Sequence, residues 1–411
     1  MKEETGNTFF EKLERRFAET TDWDRCKHLA RKGSILDVLE DELRGQGFAG
    51  SADVPKLVFL SLYTRFFEKP VSLVIKGPSG SGKSYALRCG LQFVPSTAFE
   101  EFSGMSEKAL IYKSDLNLKH RYLVIGEAAG LSEGTGRAFL RQLLSEGKVR
   151  YATVQKTKDG MVGQELPPLE GPTGLIMTTT ANTLHPEDES RMLSYHLDES
   201  PERIREALIG QATGFRSERR ALDTEPWYAL HEFVGRGSLS VDIPYARSLA
   251  EKLPLSHFRV QRDFPQVLSL IRAHALMHQF TRDRADGGKV VVANLDDYRA
   301  IHDLIADPLA QGLEEAVPKH IRALVEEVKK LQGSTQPTAS WDVVSVSQTQ
   351  LSDALGRDQS VISRSVRKAV GQGYLRDMTP GQGRKATLVL GDRDLPAGAV
   401  LPAPEDLVAA Q

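Results

Sequence analysis

Apolar and polar positions change rhythm along the 411 residues and divide the chain into regions. Residues 1–50 are charged, with Phe9, Phe10, Leu13 and Phe17 at helical spacing. From 51 to 200, short apolar runs alternate with helical patterns, which predicts an α/β core on a parallel sheet. The clearest strand runs are Val71-Ser72-Leu73-Val74-Ile75, Tyr122-Leu123-Val124-Ile125 and Gly174-Leu175-Ile176-Met177-Thr178-Thr179-Thr180. Helices dominate from 201 to 332, densest in apolar residues between Val267 and Leu276. Gly333-Ser334-Thr335-Gln336-Pro337-Thr338 predicts a linker over 333–340. A small domain over 341–391 follows, and residues 392–411, rich in Pro and Ala, predict a mobile tail.

At about 150 residues per domain, this length allows two or three domains. The formal net charge is -2, so nucleic-acid binding has to come from local patches rather than a global field. Cys26 and Cys89 are too few for a disulfide framework or a metal cluster, which predicts a reducing cytoplasm. Met1-Lys2-Glu3-Glu4-Thr5 lacks the order of a signal peptide. No apolar stretch approaches the ~20 residues that cross a bilayer, so no membrane partner is expected.

Directly behind the first strand run stand Gly77, Pro78, Ser79, Gly80, Ser81, Gly82, Lys83 and Ser84, with the spacing G-x-x-x-x-G-K-S. Between a strand and a helix, such glycines let backbone N–H groups curl around an anion. The Lys83 ammonium reaches β- and γ-phosphates, and the Ser84 hydroxyl holds Mg²⁺. The following helix, from Tyr85 onward, adds its positive N-terminal end. A nucleoside triphosphate is the predicted ligand.

Tyr122-Leu123-Val124-Ile125-Gly126-Glu127 is a buried-strand pattern ending in a carboxylate, where a hydrolysing site needs a base to orient water. Glu127 is the candidate base; an incidental strand-end acid is the alternative. Most such strands end in Asp-Glu, with the Asp supporting Mg²⁺, and here Gly126 stands in its place. The run through Thr180 leads to Ala181-Asn182 at a strand's carboxyl end, the edge where open α/β sheets bind ligands. Asn182, with Thr180 as runner-up, is placed to hydrogen-bond the γ-phosphate or the attacking water, unless it merely begins the loop. Arg191, in an acidic loop with Glu187 and Asp188, is either an arginine finger for a neighbouring subunit's γ-phosphate or a surface salt bridge.

The order of these motifs resembles AAA+ ATPases, particularly the branch of superfamily 3 and minichromosome-maintenance helicases, over about residues 55–390. Two β-prone runs flank Lys158-Asp159-Gly160 and predict a hairpin just before the Thr178 strand. It looks like the pre-sensor hairpin that those helicases aim into a channel. Lys156 and Lys158 would then touch a single-stranded phosphate backbone; otherwise the hairpin is a solvent-exposed ornament. The segment around Arg259-Val260-Gln261-Arg262 looks like the family's lid helix, with Arg262 on the second sensor position; an ordinary helix-entry charge is the alternative. Residues 84–122 are short, as in superfamily 3. Residues 1–50 match neither group and suggest an oligomerisation collar or a partner-binding module.

In the last domain, Ser347-Gln348-Thr349-Gln350 has capping-box spacing and opens a helix to Leu355. A second helix runs from Asp358 to Val370 with Ile362, Val366, Ala369 and Val370 on its apolar face. Ser363, Arg364 and Arg367 lie elsewhere on it. Tyr374-Leu375-Arg376 and Arg384-Lys385-Ala386-Thr387-Leu388-Val389-Leu390 follow as a two-stranded wing. The arrangement resembles a winged-helix fold, and Ser363, Arg364, Arg367 and Lys385 are its candidate duplex-DNA contacts. Winged helices also dock proteins.

The resemblance implies an AAA+ core with a parallel sheet, a helical lid and a C-terminal winged helix, using ATP and Mg²⁺. It further implies a homo-oligomeric ring, expected to be a hexamer, that unwinds DNA during replication of a mobile element or virus. Primase or other replication proteins would be partners. The rival reading is a DNA-bound ATP switch, such as a helicase loader or a regulator of transposition or transcription, with no unwinding of its own.

Overall fold

Parallel strands that are buried on both faces need helices to cover the sheet, and the protein is built around one such sheet. The computed structural model describes residues 21–105, 111, 116–127, 135–157, 160–181, 184–197, 201–214, 220–254, 259–334, 345–379, 386–395 and 400–407. The chain begins with helices α1 (Thr21–Ala30), α2 (Ile35–Gly45) and α3 (Asp53–Tyr63). Strand β1 (Ser72–Lys76) leads into α4 (Lys83–Leu91), followed by β2 (Phe99–Phe102), β3 (Arg121–Ile125) and α5 (Thr135–Glu146). A hairpin of β4 (Ala152–Thr157) and β5 (Gly160–Glu165) precedes β6 (Thr173–Thr179), a helical turn at Pro186–Glu189 and β7 (Met192–His196).

The expected α/β core is present. The five-stranded sheet has the order β2-β3-β6-β1-β7, and every neighbouring pair is parallel. β1 and β6 are buried along their whole length. Tyr122 of β3 fixes how the strands meet α3. Its hydroxyl lies 2.7 Å from the Ser61 carbonyl, 2.8 Å from the Val71 carbonyl and 2.7 Å from Thr64 Oγ1. The ring covers Gly174, its register partner on β6, where an added Cβ would stand 2.2 Å from it. Glycine in this strand therefore makes room for a neighbour's ring.

The described residues fall into two compact units, one within 1–251, 262–308 and 402–411, the other within 252–261 and 309–401. Residues 21–50 belong to the unit that holds the sheet: Trp23 of α1 packs on Phe233 and Phe280 at centroid distances of 5.4 and 4.5 Å. Helices α6 (Pro201–Gly214), α7 (Glu225–Arg236), α8 (Val260–Met277) and α9 (Leu295–Ala316) supply the predicted helical stretch. Within it, Asp297 is buried and held at a pKa of about 2. Burial alone would raise it, but hydrogen bonds from His274 and Arg282 outweigh that.

The second unit packs α10 (Lys319–Ser334), α11 (Gln348–Leu355) and α12 (Gln359–Gly371) against a small antiparallel sheet of β8 (Val346–Ser347), β9 (Leu375–Asp377) and β10 (Thr387–Leu390), ordered β8-β10-β9. The capping box at Ser347 and Gln350 forms. Ile362, Val366 and Ala369 are buried in this unit's core, with Val370 packed against it. Among the described residues, no helix is long and apolar enough to cross a membrane.

Tyr122→Phe removes a hydroxyl shared by several buried partners and should cost about 1–3 kcal/mol. The midpoint of chemical denaturation should fall accordingly; an unchanged midpoint would show that the α3 contact contributes nothing.

Candidate functional site

The strands β1, β3 and β6 end together. Ile75 is in register with Thr178 and Lys76 with Thr179, while Ile125 pairs with Met177. The residues that follow β1 and β3 therefore emerge side by side at one edge of the sheet. Thr178 Oγ1 donates to the Gly126 carbonyl and links the ends of β6 and β3.

Residues 77–84 form the predicted loop. Gly80 and Gly82 have φ of +82° and +88°, values that side chains with a Cβ rarely adopt. Gly82 then caps α4 from this left-handed conformation. The Lys83 ammonium, mostly buried, donates to the carbonyls of Gly77 at 2.8 Å and Pro78 at 2.6 Å, which folds it over the loop.

A cleft of about 310 Å³ lies against this loop. Lys83, Ser84, Gly126, Glu127, Thr178 and Thr180 are among its lining residues. Sequence-predicted Ser84, Lys83 and Glu127 thus share one cavity, and Thr180, the runner-up to Asn182, joins them. Asn182 lies outside the described residues. Gly126 contributes no carboxylate, yet a Cβ there would come no closer than 3.4 Å to the Ser103 carbonyl, so the backbone has room for a side chain. Among the described residues no cluster of three acidic, His or Cys groups could hold a metal by itself. That donor set suits Mg²⁺, which keeps several waters and is usually held by one or two protein oxygens together with substrate phosphates. Ser84 and Glu127 are the side chains here that could supply them.

A second cavity, about 330 Å³, continues from the loop. Phe48 and Ala49 line one side, Gly80 and Tyr85 another, and Ala207 and Gly210 of α6 a third. The rings of Phe48 and Tyr85 stack at 5.7 Å with an interplanar angle of 16°. Gly210 is required by close approach, since a Cβ would meet that of Ala49 at 2.5 Å. A small-walled, apolar slot beside an anion loop has the dimensions and chemistry for a planar base. Sequence reasoning missed it, because its walls come from three stretches that only folding brings together.

Neither candidate arginine is among the described lining residues of the phosphate cleft. The Arg191 guanidinium donates to Ser145 Oγ at 2.8 Å and to the Glu187 carbonyl. Arg262 donates from α8 to the Ser190 hydroxyl, so both guanidinium groups meet the 186–191 segment. The acids of that loop pair elsewhere: Arg141 binds Glu187 and Asp188, and Arg137 binds Asp188.

The hairpin is present as β4 and β5 with Thr157 opposite Gly160, just before β6. Lys148 and Val149 pair instead with 169–170, so the hairpin begins later than the apolar run. Lys156 falls on β4, and Lys158 lies outside the described residues. In the second unit, Arg364, Arg367 and Lys368 are exposed on α12 and Ser363 is half-buried. His320 is held below its ordinary pKa, first by partial burial and then by the charges of Lys368 and Arg357. Lys385 lies outside the described residues.

No protein-family model matches this chain, and no curated protein does. Among solved structures, one titled "SCCmec type IV Cch - active helicase" aligns over 88% of this chain and 70% of its own, at 12% identity and a TM-score of 0.42. The Thermotoga maritima RuvB Holliday junction branch migration motor aligns over 89% and 96%, at 15% identity and a TM-score of 0.29. Scores this low establish no common function, and the cleft's own geometry has to carry the functional reading.

Lys83→Ala removes the ammonium folded over the loop and should weaken triphosphate binding at least ~10-fold, since each 1.4 kcal/mol is a factor of ten. Calorimetric titration with ATP checks this, and undiminished affinity would place the triphosphate elsewhere.

Proposed function

We propose that this chain is an AAA+-type ATPase that works as a motor on DNA. The observation that carries the reading is the shared cleft in which Lys83, Ser84 and Glu127 meet at the ends of β1 and β3, with a base-sized slot alongside. In it, loop N–H groups and Lys83 hold the phosphates of ATP. Ser84 holds Mg²⁺, which, when bound, neutralises charge on the β- and γ-phosphates. Glu127 orients and deprotonates the attacking water. Asn182 or Thr180 senses the γ-phosphate from the neighbouring strand.

Arg191, and Arg262 reaching Ser190 from α8, serve the nucleotide between copies of the chain. A head-to-tail interface of that kind closes into a ring, and we assign a hexamer. Lys156 and Lys158 of the hairpin grip one DNA strand in its channel. The second unit, with helices followed by a short antiparallel sheet, acts as a winged helix on duplex DNA. Arg364 and Arg367, with Ser363 and Lys385, supply its contacts, and Lys368 and Arg357 stand near enough to His320 to add to the lowering that burial begins. A mobile-element or viral replication role, with primase among the partners, fits such a compact motor.

Gly126 favours a second reading. Without a strand-end Asp, turnover is slow and the protein is a DNA-bound ATP switch that loads or regulates other machinery.

A forked duplex with ATP separates the two. The motor displaces a strand and Glu127→Gln stops it while ATP still binds; a switch binds DNA and ATP and displaces nothing. Normal hydrolysis by Glu127→Gln would reassign the base.

DNA binding should also take up a proton. Phosphates near His320 oppose the cations that depress its pKa, so affinity should rise as pH falls through the range below the ordinary imidazole value. His320→Gln should abolish that pH dependence in fluorescence anisotropy. Arg364→Ala should weaken binding by about 1–3 kcal/mol if it reads a base edge, and equally on all sequences if it meets only phosphate.

A further inference from the structure

Lys76 is the last residue of β1, directly before the phosphate loop, and it is fully buried. An ammonium at the centre of a covered sheet is costly unless a charge meets it. Its Nζ donates to Glu189 Oε1, and Ser194 Oγ of β7 lies 3.3 Å from the same oxygen. Glu189 is itself mostly buried. Neither Lys76 nor Glu189 is among the lining residues of the nucleotide cavities.

Glu189 ends the helical turn Pro186–Glu189, two residues before Arg191. Other contacts of that segment run to α5: Asp188 to Arg137 and Arg141, Glu187 to Arg141, and Arg191 to Ser145, while Ser190 accepts from Arg262 of α8. The segment bearing Arg191 is therefore held to α5 through Glu187, Asp188 and Arg191 and, between them, through the buried Lys76–Glu189 pair to the root of the phosphate loop.

We infer that Lys76 and Glu189 are positioning residues that tie the phosphate loop to the Arg191 segment, so that the nucleotide state of one site sets where its arginine stands. The inference rests on the ATPase reading above. Stability does not explain the pair, because replacing a buried ion pair by apolar groups of similar volume is often neutral or stabilising. What the pair supplies is a fixed geometry between two segments, and small misplacements of catalytic groups cost up to ~100-fold in rate.

The test compares the wild type, the apolar pair Lys76→Met with Glu189→Leu, and the exchanged pair Lys76→Glu with Glu189→Lys, each with and without Arg191→Ala. Melting temperature, affinity for a fluorescent ATP analogue and steady-state ATP hydrolysis are read for all six. The apolar pair should melt at or above the wild-type temperature and bind nucleotide within about twofold, yet hydrolyse ATP about tenfold more slowly. Arg191→Ala should then add little further loss, because residues that act as a unit are not additive. The exchanged pair should recover part of the rate, and it decides the matter if the apolar pair fails to fold. Wild-type hydrolysis by a folded apolar pair, an exchanged pair that recovers no rate over it, or losses that multiply with those of Arg191→Ala, each overturns the inference. Absence of hydrolysis in the wild type itself would instead overturn the ATPase reading.

Discussion

The parallel register of β1, β3 and β6 is the constraint on which the rest depends. Because β6 sets Ile75 level with Thr178 and Ile125 level with Met177, the phosphate loop and Glu127 leave the sheet as neighbours. The Gly126 carbonyl is then close enough to accept from Thr178, which joins the two strand ends. A slip of one residue would turn each strand's side chains to the opposite face and send Glu127 away from Lys83. The Tyr122 ring over Gly174 and the Thr178 hydroxyl on the Gly126 carbonyl hold β3 and β6 in this register.

Around that edge, polar groups are used with economy. Lys83 lies over its own loop through two carbonyls, and Gly80 and Gly82 supply backbone shapes that other residues resist. Gly126 brings no carboxylate, which leaves Ser84 and Glu127 as the side chains that could hold a metal beside a nucleotide. The charged loop beyond β6 is organised the same way: Asp188 and Glu187 satisfy α5, while Arg191 and Arg262 share the stretch between them and β7.

Local signals were readable from the chain where one short segment holds both cause and effect. The spacing of Gly77 to Ser84, the carboxylate ending the Tyr122 strand, the Asp-Gly hairpin and the Ser347–Gln350 capping box are all of this kind. The strand runs were legible too, because continuous apolar burial leaves an unbroken record. What stayed hidden depends on distant parts meeting. The base slot joins Phe48, Tyr85 and Gly210, and the glycine there answers to Ala49, not to its own helix. A lysine ending a buried strand reads as a solvated charge until Glu189 is seen against it. The split of 148–157 into two separate pairings followed from tertiary contacts with 169–170 rather than from β propensity.

Hydrogen exchange of the full chain, with and without a non-hydrolysable ATP analogue and Mg²⁺, tests the central claim most directly. Amides at 77–84 should become strongly protected, together with those at 47–49, 126–127 and 207–210. Protection confined to other segments, with 77–84 exchanging as before, would contradict the account.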